Sequence, residues 1–282
     1  MNYAQLIQRY SLELVAVDED PQNLIYVFKE LKAWTTLDFV LHQNQAVTDA
    51  DQKLLQAIMQ QLLQHRSPQY ITGKAYFRDL VLTVDERVLI PRPETEELVE
   101  LILQENDNSY KRVLDVGTGS GAIAIALKKA RPEWQVVASD ISADALDVAQ
   151  QNARDLGIQL DFIQSDLLSA ITGSFDIIVS NPPYIAPEDQ AEVAVNVLAS
   201  EPHLALFAAE HGFAAYRGLL SQTTAHLTNQ GKIYLEIGYK QAKQVQELST
   251  LYLPEKRLRI LQDSYGKDRM VAIDDWSVNT RD

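Results

Sequence analysis

Apolar positions along the chain follow two periods, and the change between them divides it. Through the first 75 residues they recur every three or four positions. Leu54, Leu55, Ile58, Met59, Leu62 and Leu63 form one stripe behind Thr48-Asp49-Ala50-Asp51, which has the form of a capping box at a helix start. Similar periodicity over 2–16, 22–33 and 36–42, broken at Asp20-Pro21, predicts a bundle of three to five short helices. Residues 75–90 carry Tyr76, Phe77, Leu80, Val81, Leu82, Val84, Val88, Leu89 and Ile90 and read as two short strands turning near Asp85-Glu86. Pro91 and Pro93 end the second strand, and Glu94-Thr95-Glu96-Glu97 opens a helix with acidic residues where the helix dipole favours them.

From about residue 110 short apolar runs alternate with helical stretches, which predicts an α/β sheet of largely parallel strands. Strands are expected at 113–116, 136–139, 160–164, 175–179 and 232–237, with helices near 121–130, 143–155, 212–228 and 240–250. The last two strands, 257–262 and 269–273, are joined by Asp263-Ser264-Tyr265-Gly266-Lys267-Asp268, too short for a crossover helix, so they must pair antiparallel. A Rossmann-like sheet, mostly parallel with a terminal antiparallel hairpin, is the arrangement of class I methyltransferases. The expected organisation is a small all-helical domain over 1–74, a packing or substrate-docking module, then a β-hairpin linker over 75–92 and the α/β domain over 93–282.

Composition narrows the chemistry. The 282 residues include no cysteine, which removes disulfides, thiolate metal sites and a cysteine nucleophile and leaves a cytoplasmic address as the expectation. The start lacks a basic segment followed by an apolar one, and no run approaches the roughly 18 apolar residues of a membrane helix. Net charge is −14, with 19 basic against 31 acidic side chains in residues 76–282 (6 against 8 before them). That balance disfavours a nucleic-acid duplex, whose phosphates need a basic footprint, and suits a cationic ligand or a basic protein partner. The five histidines, at 42, 65, 203, 211 and 226, show no metal-binding spacing, so no metal is expected.

Between the first α/β strand and its helix lies Asp115-Val116-Gly117-Thr118-Gly119-Ser120-Gly121, where glycines let the backbone turn tightly and approach a ligand. The spacing is neither the pyrophosphate-binding pattern of dinucleotide folds nor a Walker loop. Asp140 ends the next strand, 19 residues after Gly121, where a carboxylate can accept both hydroxyls of an adenosine ribose. Asp166 follows the third strand, placed to take an adenine amino group while Leu167 covers the ring. Three acids at successive strand ends make a cleft suited to a sulfonium cation such as S-adenosyl-L-methionine.

The fourth strand runs into Asn181-Pro182-Pro183-Tyr184. An amide or aminopurine nitrogen is a poor nucleophile because its lone pair is delocalised; methylating it requires acceptors for both N–H groups and alignment with the methyl donor. The Asn181 side-chain oxygen and the Pro182 carbonyl are two such acceptors, two prolines keep them aimed, and Tyr184 offers a face for stacking. This tetrapeptide leaves the acceptor open: adenine in nucleic acid, or glutamine in a protein.

Further segments resolve that choice by likeness. Pro68-Gln69-Tyr70-Ile71-Thr72-Gly73, Val88-Leu89-Ile90-Pro91-Arg92-Pro93-Glu94-Thr95-Glu96 and Glu201-Pro202-His203-Leu204-Ala205-Leu206 resemble the junction, linker and later segments of peptide chain release factor N5-glutamine methyltransferases. The likeness covers nearly the whole chain, strongest from Arg66 to about Gly238. It departs in the proline-to-tyrosine spacing of the junction, in Ala208-Ala209 where glycine-rich sequence is usual, and in Leu167 where some relatives carry an aromatic. The resemblance implies that Gly117, Thr118, Gly119, Ser120, Gly121, Asp140, Leu167 and Asn181 contact S-adenosyl-L-methionine. It implies that Asn181, Pro182, Pro183 and Tyr184 receive the substrate, the glutamine of the Gly-Gly-Gln loop of translation release factors, with Asn181, Pro182 and Tyr184 catalytic. The rival readings are a nucleic-acid adenine N6 methyltransferase, a glutamine methyltransferase of a ribosomal protein, and a cofactor-binding protein without activity.

Overall fold

The computed structural model describes residues 1–275, which fall into two compact units. The smaller comprises residues 1–74 with two segments distant in sequence, 84–86 and 193–201. Its first 74 residues form α1 (Tyr3–Val15), α2 (Gln22–Lys32), α3 (Thr36–His42), α4 (Asp49–Leu62) and α5 (Pro68–Thr72). The apolar spacing packs them: Leu6, Tyr10 and Leu14 meet Leu24, Val27 and Phe28, and Leu55, Ile58, Met59 and Leu62 complete the core. Leu63, at the edge of the stripe, is exposed.

The capping box expected at Thr48 forms only by half. The Thr48 hydroxyl accepts from the Asp51 amide at 3.1 Å, but the buried Asp51 carboxylate takes the Tyr3 hydroxyl and the Lys32 ammonium, the latter at 2.8 Å, instead of turning back on the helix start. A buried carboxylate gains more from a cation and a hydroxyl than from one backbone amide. Complete boxes close α1 through Asn2 and Gln5 and α3 through Thr35 and Asp38.

The larger unit holds residues 75–83, 87–192 and 202 onward. Its hairpin, β1 (Lys74–Phe77) and β2 (Leu80–Thr83), turns at Arg78-Asp79 and not at Asp85-Glu86. Alternation explains the difference: Ala75, Phe77, Leu80 and Leu82 are buried while Tyr76 and Val81 face outward, so the inward parity resets between Phe77 and Leu80. The stretch 84–90 is irregular.

There follow α6 (Pro93–Glu105), β3 (Arg112–Val116), α7 (Ala122–Ala130), β4 (Gln135–Asp140), α8 (Ala143–Asp155), β5 (Asp161–Gln164) and β6 (Phe175–Ser180). After a 3₁₀ turn at Pro187–Glu192 come α9 (Val195–Ser200), which belongs to the smaller unit, then α10 (His203–Leu206), α11 (Ala209–Gly212) and α12 (Ala214–Thr223). The chain then forms β7 (Leu227–Glu236), α13 (Ala242–Tyr252), β8 (Lys256–Gln262) and β9 (Asp268–Asp275).

Among the described residues the sheet has seven strands in the order β5-β4-β3-β6-β7-β9-β8. The first five are parallel, and β9 and β8 add antiparallel, as the short connection between them requires. One face is covered by α6, α7, the end of α8 and the hairpin, the other by α12 and α13. Arg259 of β8 fastens this edge, pairing with Glu105 at 2.7 Å and with Asp274 at 2.8 Å. Since β3 lies between β4 and β6, the connections leaving β3 and β6 diverge and open a crevice at their carboxyl ends.

Replacing Asp51 with Ala is expected to destabilise the smaller unit by about 1–3 kcal/mol, because it leaves the buried Tyr3 hydroxyl without its carboxylate acceptor. Amide hydrogen exchange of α1 and α4 reads this opening separately from the α/β unit; unchanged protection there would refute it.

Candidate active site

A cavity of about 380 Å³ opens at the carboxyl ends of β3, β4 and β6, wholly within the larger unit. Its walls bring together Val116, Gly117 and Gly119 after β3, Asp140 to Ser142 after β4, Ser165 to Leu167 after β5, and Ser180 to Pro183 at the end of β6. Arg87, Val88 and Leu89 and the apolar Leu204, Ala205, Phe207 and Ala208 complete it. The Ser180 hydroxyl donates to the Val116 carbonyl at 2.7 Å and locks the two central strand ends side by side.

The glycine loop divides into two sets of residues. Gly117 and Gly119 line the cavity in the left-handed region, at φ +73° and +54°, with open space where a side chain would stand. Thr118 and Ser120 are buried; the Thr118 hydroxyl donates to Asp115 at 2.6 Å, and the Ser120 carbonyl accepts from Asn152 of α8 at 2.9 Å. A Cβ on Gly121 would press on Ile125 and Ala149, so this glycine lets α7 and α8 approach. Of the expected contact set, Gly117, Gly119, Asp140, Leu167 and Asn181 therefore lie on the wall, and Thr118, Ser120 and Gly121 shape the loop from behind.

This loop is not a phosphate cradle. The Gly117 and Thr118 amides donate to the Ser139 carbonyl at 2.8 and 2.9 Å, the Gly119 amide to the Asp140 carboxylate at 2.9 Å, and the Gly121 amide to the Thr118 carbonyl at 2.8 Å. Amides that would otherwise face an anion are already engaged. Asp140 also accepts from the Ser142 amide at 2.9 Å; its burial raises its affinity for a proton, and these amides oppose that rise. Beneath it Asp115 is fully buried. Desolvation above all, with the charge of Asp140, pushes its carboxyl up to about 7, against the bonds from Thr118 and the Ala124 amide. Its second oxygen has no hydrogen-bond partner. Two carboxylates on the wall, Asp140 and Asp166, outnumber the one guanidinium, Arg87, and the unsatisfied Asp115 lies below. A cationic guest of nucleoside size, such as S-adenosyl-L-methionine, fits this donor set; a polyphosphate does not.

The acceptor loop is held at both ends. The Asn181 amide nitrogen donates to the Thr95 hydroxyl at 3.1 Å, and that hydroxyl donates to Glu236 at 2.6 Å. At the other end the Tyr184 carbonyl accepts from the Gln241 side chain at 2.8 Å, and Gln241 in turn accepts from the Gly238 amide at 2.9 Å. Gly212 allows this, since a Cβ there would stand 2.3 Å from the Tyr184 carbonyl oxygen. Asn181, Pro182 and Pro183 line the cavity, whereas Tyr184 is not on its wall. Its ring packs against the core between the sheet and α12–α13 and beside Gly238, and burial pushes its hydroxyl up to about 12. Tyr184 is partly buried, its ring packed on that core at the foot of the loop.

Thr95, Asn152, Glu236, Gln241 and Gly218 were not singled out as site residues by sequence. Gly218 of α12 makes room for Leu167, whose Cδ1 lies 2.5 Å from where a Cβ would be. Thr95 stood inside the linker segment; the others carried no signal, since each acts across a separation that only folding closes.

Residues 5–73 match the family model described as the PrmC N-terminal domain, and residues 94–206 match that of the methyltransferase small domain. A release factor glutamine methyltransferase of Streptococcus pneumoniae is 52% identical over 276 residues, 98% of this chain and 99% of its own length. One of Lactococcus lactis is 52% identical over 255 residues, covering 90% and 94%. Among solved structures, a methyltransferase from Pyrococcus furiosus has a TM-score of 0.54 at 18% identity, over 70% of this chain and 89% of that one, a likeness of fold alone. With near-complete coverage by relatives at this identity, the chain belongs to the release factor glutamine methyltransferase family.

Proposed function

We propose that the cavity binds S-adenosyl-L-methionine beside the glutamine of the Gly-Gly-Gln loop of a translation release factor, and that Asn181, Pro182 and Pro183 receive that glutamine. The bound cofactor supplies an electrophilic sulfonium methyl, and transfer gives N5-methylglutamine and S-adenosylhomocysteine. The observation that carries this reading is the shared wall: Gly117, Gly119 and Asp140 line the same cavity as Asn181, Pro182 and Pro183. Asp140 holds the ribose, Asp166 and Leu167 the adenine, and Thr118, Ser120 and Gly121 keep the loop in shape. The Asn181 oxygen and the Pro182 carbonyl accept the two N–H groups of the glutamine amide and let its lone pair localise. Tyr184, at the far end of the loop, offers the flat amide a face on which to stack. Alkylation makes the nitrogen strongly acidic, so its proton leaves without a tuned base.

The helical unit docks the release factor, and the acidity of the α/β part favours a basic patch on the surface it meets. Among the described residues no helix is long and apolar enough to cross a membrane, and the charge gives no footprint for nucleic acid. These features support a cytoplasmic enzyme that acts directly on the protein.

Labelled S-adenosyl-L-methionine should place its methyl on the loop glutamine of a purified release factor and not on the factor carrying Gln→Ala there, as located by mass spectrometry. Label on adenine in DNA and on neither protein would overturn the reading. Asn181→Ala should lower kcat by about 100-fold while cofactor Kd stays within about threefold; a parallel loss of cofactor binding would show that Asn181 serves the cofactor instead.

The buried acids give a pH dependence of defined sign. Asp115 binds its proton more tightly folded than unfolded, so its contribution to stability is greatest in acid and is lost as pH rises toward about 7. Over the same interval the cavity gains negative charge, and affinity for the sulfonium cofactor should rise. Calorimetric titration in Asp115→Asn should show that rise flattened; an unchanged profile would assign it to another group.

A further inference from the structure

We infer that Glu236, acting through the Thr95 hydroxyl, is the positioning residue that decides which end of the Asn181 carboxamide faces the substrate. The inference rests on the reading that Asn181 accepts a hydrogen bond from the glutamine amide. A carboxamide is nearly symmetric in shape but opposite in function at its two ends: its oxygen accepts and its NH₂ donates. Turned by half a rotation, Asn181 would present a donor to a substrate nitrogen that itself carries two hydrogens, and the site would repel what it has to bind.

A hydrogen-bond chain selects the correct end. Glu236 is 1% exposed at the end of β7, beside the β6 end that carries Asn181, and Thr95 is 4% exposed in the first turn of α6. The ionised carboxylate can only accept. The single Thr95 hydrogen goes to it, at 2.6 Å, leaving on the Thr95 oxygen only lone pairs, which the Asn181 NH₂ meets at 3.1 Å. The Asn181 oxygen is the end left for the cavity. Neither Thr95 nor Glu236 lines that cavity, so both act through Asn181 and not on the substrate.

The polarity of this chain depends on the carboxylate being charged. Burial pushes Glu236 up to about 7; Thr95, then Arg269 of β9 and Arg92, oppose the rise, and Glu94 adds to it. Tyr184 and Tyr216 complete its surroundings, the Tyr216 hydroxyl donating to the Glu236 main-chain carbonyl at 3.0 Å. Once protonated, Glu236 donates to the Thr95 oxygen, the Thr95 hydrogen swings to Asn181, and the reversed carboxamide is favoured. Protonation of Glu236 therefore switches the acceptor off.

The test uses the full chain with saturating cofactor and release factor. Thr95→Val, similar in shape without the hydroxyl, should lower kcat by about 30-fold or more with cofactor Kd within about threefold, and Thr95→Ser should restore turnover to within about threefold of the parent. Parent kcat should fall about tenfold between about pH 8 and pH 6, and this acidic limb should be absent in Glu236→Gln, which cannot ionise. The Asn181 side-chain amide resonances, followed by NMR without substrate, should titrate with the same midpoint in the parent and stay fixed in Glu236→Gln and Thr95→Val.

Normal turnover in Thr95→Val, a Ser variant as impaired as the Val variant, or an Asn181 amide that titrates unchanged in Glu236→Gln would each overturn the inference. A parent enzyme that fails to methylate any release factor would defeat the proposed function instead, and the amide titration would still decide whether Glu236 sets the carboxamide.

Discussion

Parallel pairing of β3 with β4 on one side and β6 on the other is the constraint from which the site follows. Chain leaving β3 turns toward β4, chain leaving β6 turns away from it, and the space between them cannot be filled by either connection. The Ser180 to Val116 hydrogen bond holds the mouth of that space at fixed width. The glycine loop, the carboxylates at the strand ends and the Asn181 to Pro183 segment all line the rim this creates.

That rim is built at a cost in solvation. Asp115 is fully buried with one oxygen unpartnered, and Asp140 stands next to it carrying like charge. An ionised carboxylate in such a place destabilises the fold unless a cation arrives or a proton stays. The amide groups of the glycine loop, in other folds the means of holding phosphate, are here turned onto Ser139, Thr118 and Asp140. The result is a strand-loop-helix of familiar outline whose amides are not free to meet an anion.

The Asn181 to Tyr184 loop is held in place by residues outside itself. Two prolines stiffen it, but stiffness alone does not aim a carboxamide. Aim comes from residues that approach from the sides: Thr95 from the start of α6, Glu236 from the end of β7, and Gln241 from the turn before α13. Gly212 is required because the Tyr184 carbonyl passes where its side chain would be.

Sequence alone determined the helical bundle, the order of α/β elements, the antiparallel closing pair, and the stations of Asp140, Asn181 and the glycine loop, because each is encoded in residues close together along the chain. Periodicity reports which face of an element is buried, and a six-residue connection leaves β8 and β9 one way to pair. The hairpin turns several residues before Asp85-Glu86, a position the sequence does not mark because two strands and the irregular stretch after them carry one continuous apolar signal. What only the tertiary structure decided is which way groups point: that Thr118 and Ser120 face the core, that Asp51 leaves its helix cap for Lys32 and Tyr3, that the Tyr184 carbonyl is clamped by Gln241, and that Asn181 is gripped by Thr95, itself held by Glu236. Hydrogen-bond direction depends on the partner that folding delivers, and these partners lie from 3 to 141 positions apart. A local pattern can place a residue at the rim of a site, but its orientation is settled by groups that the pattern does not contain.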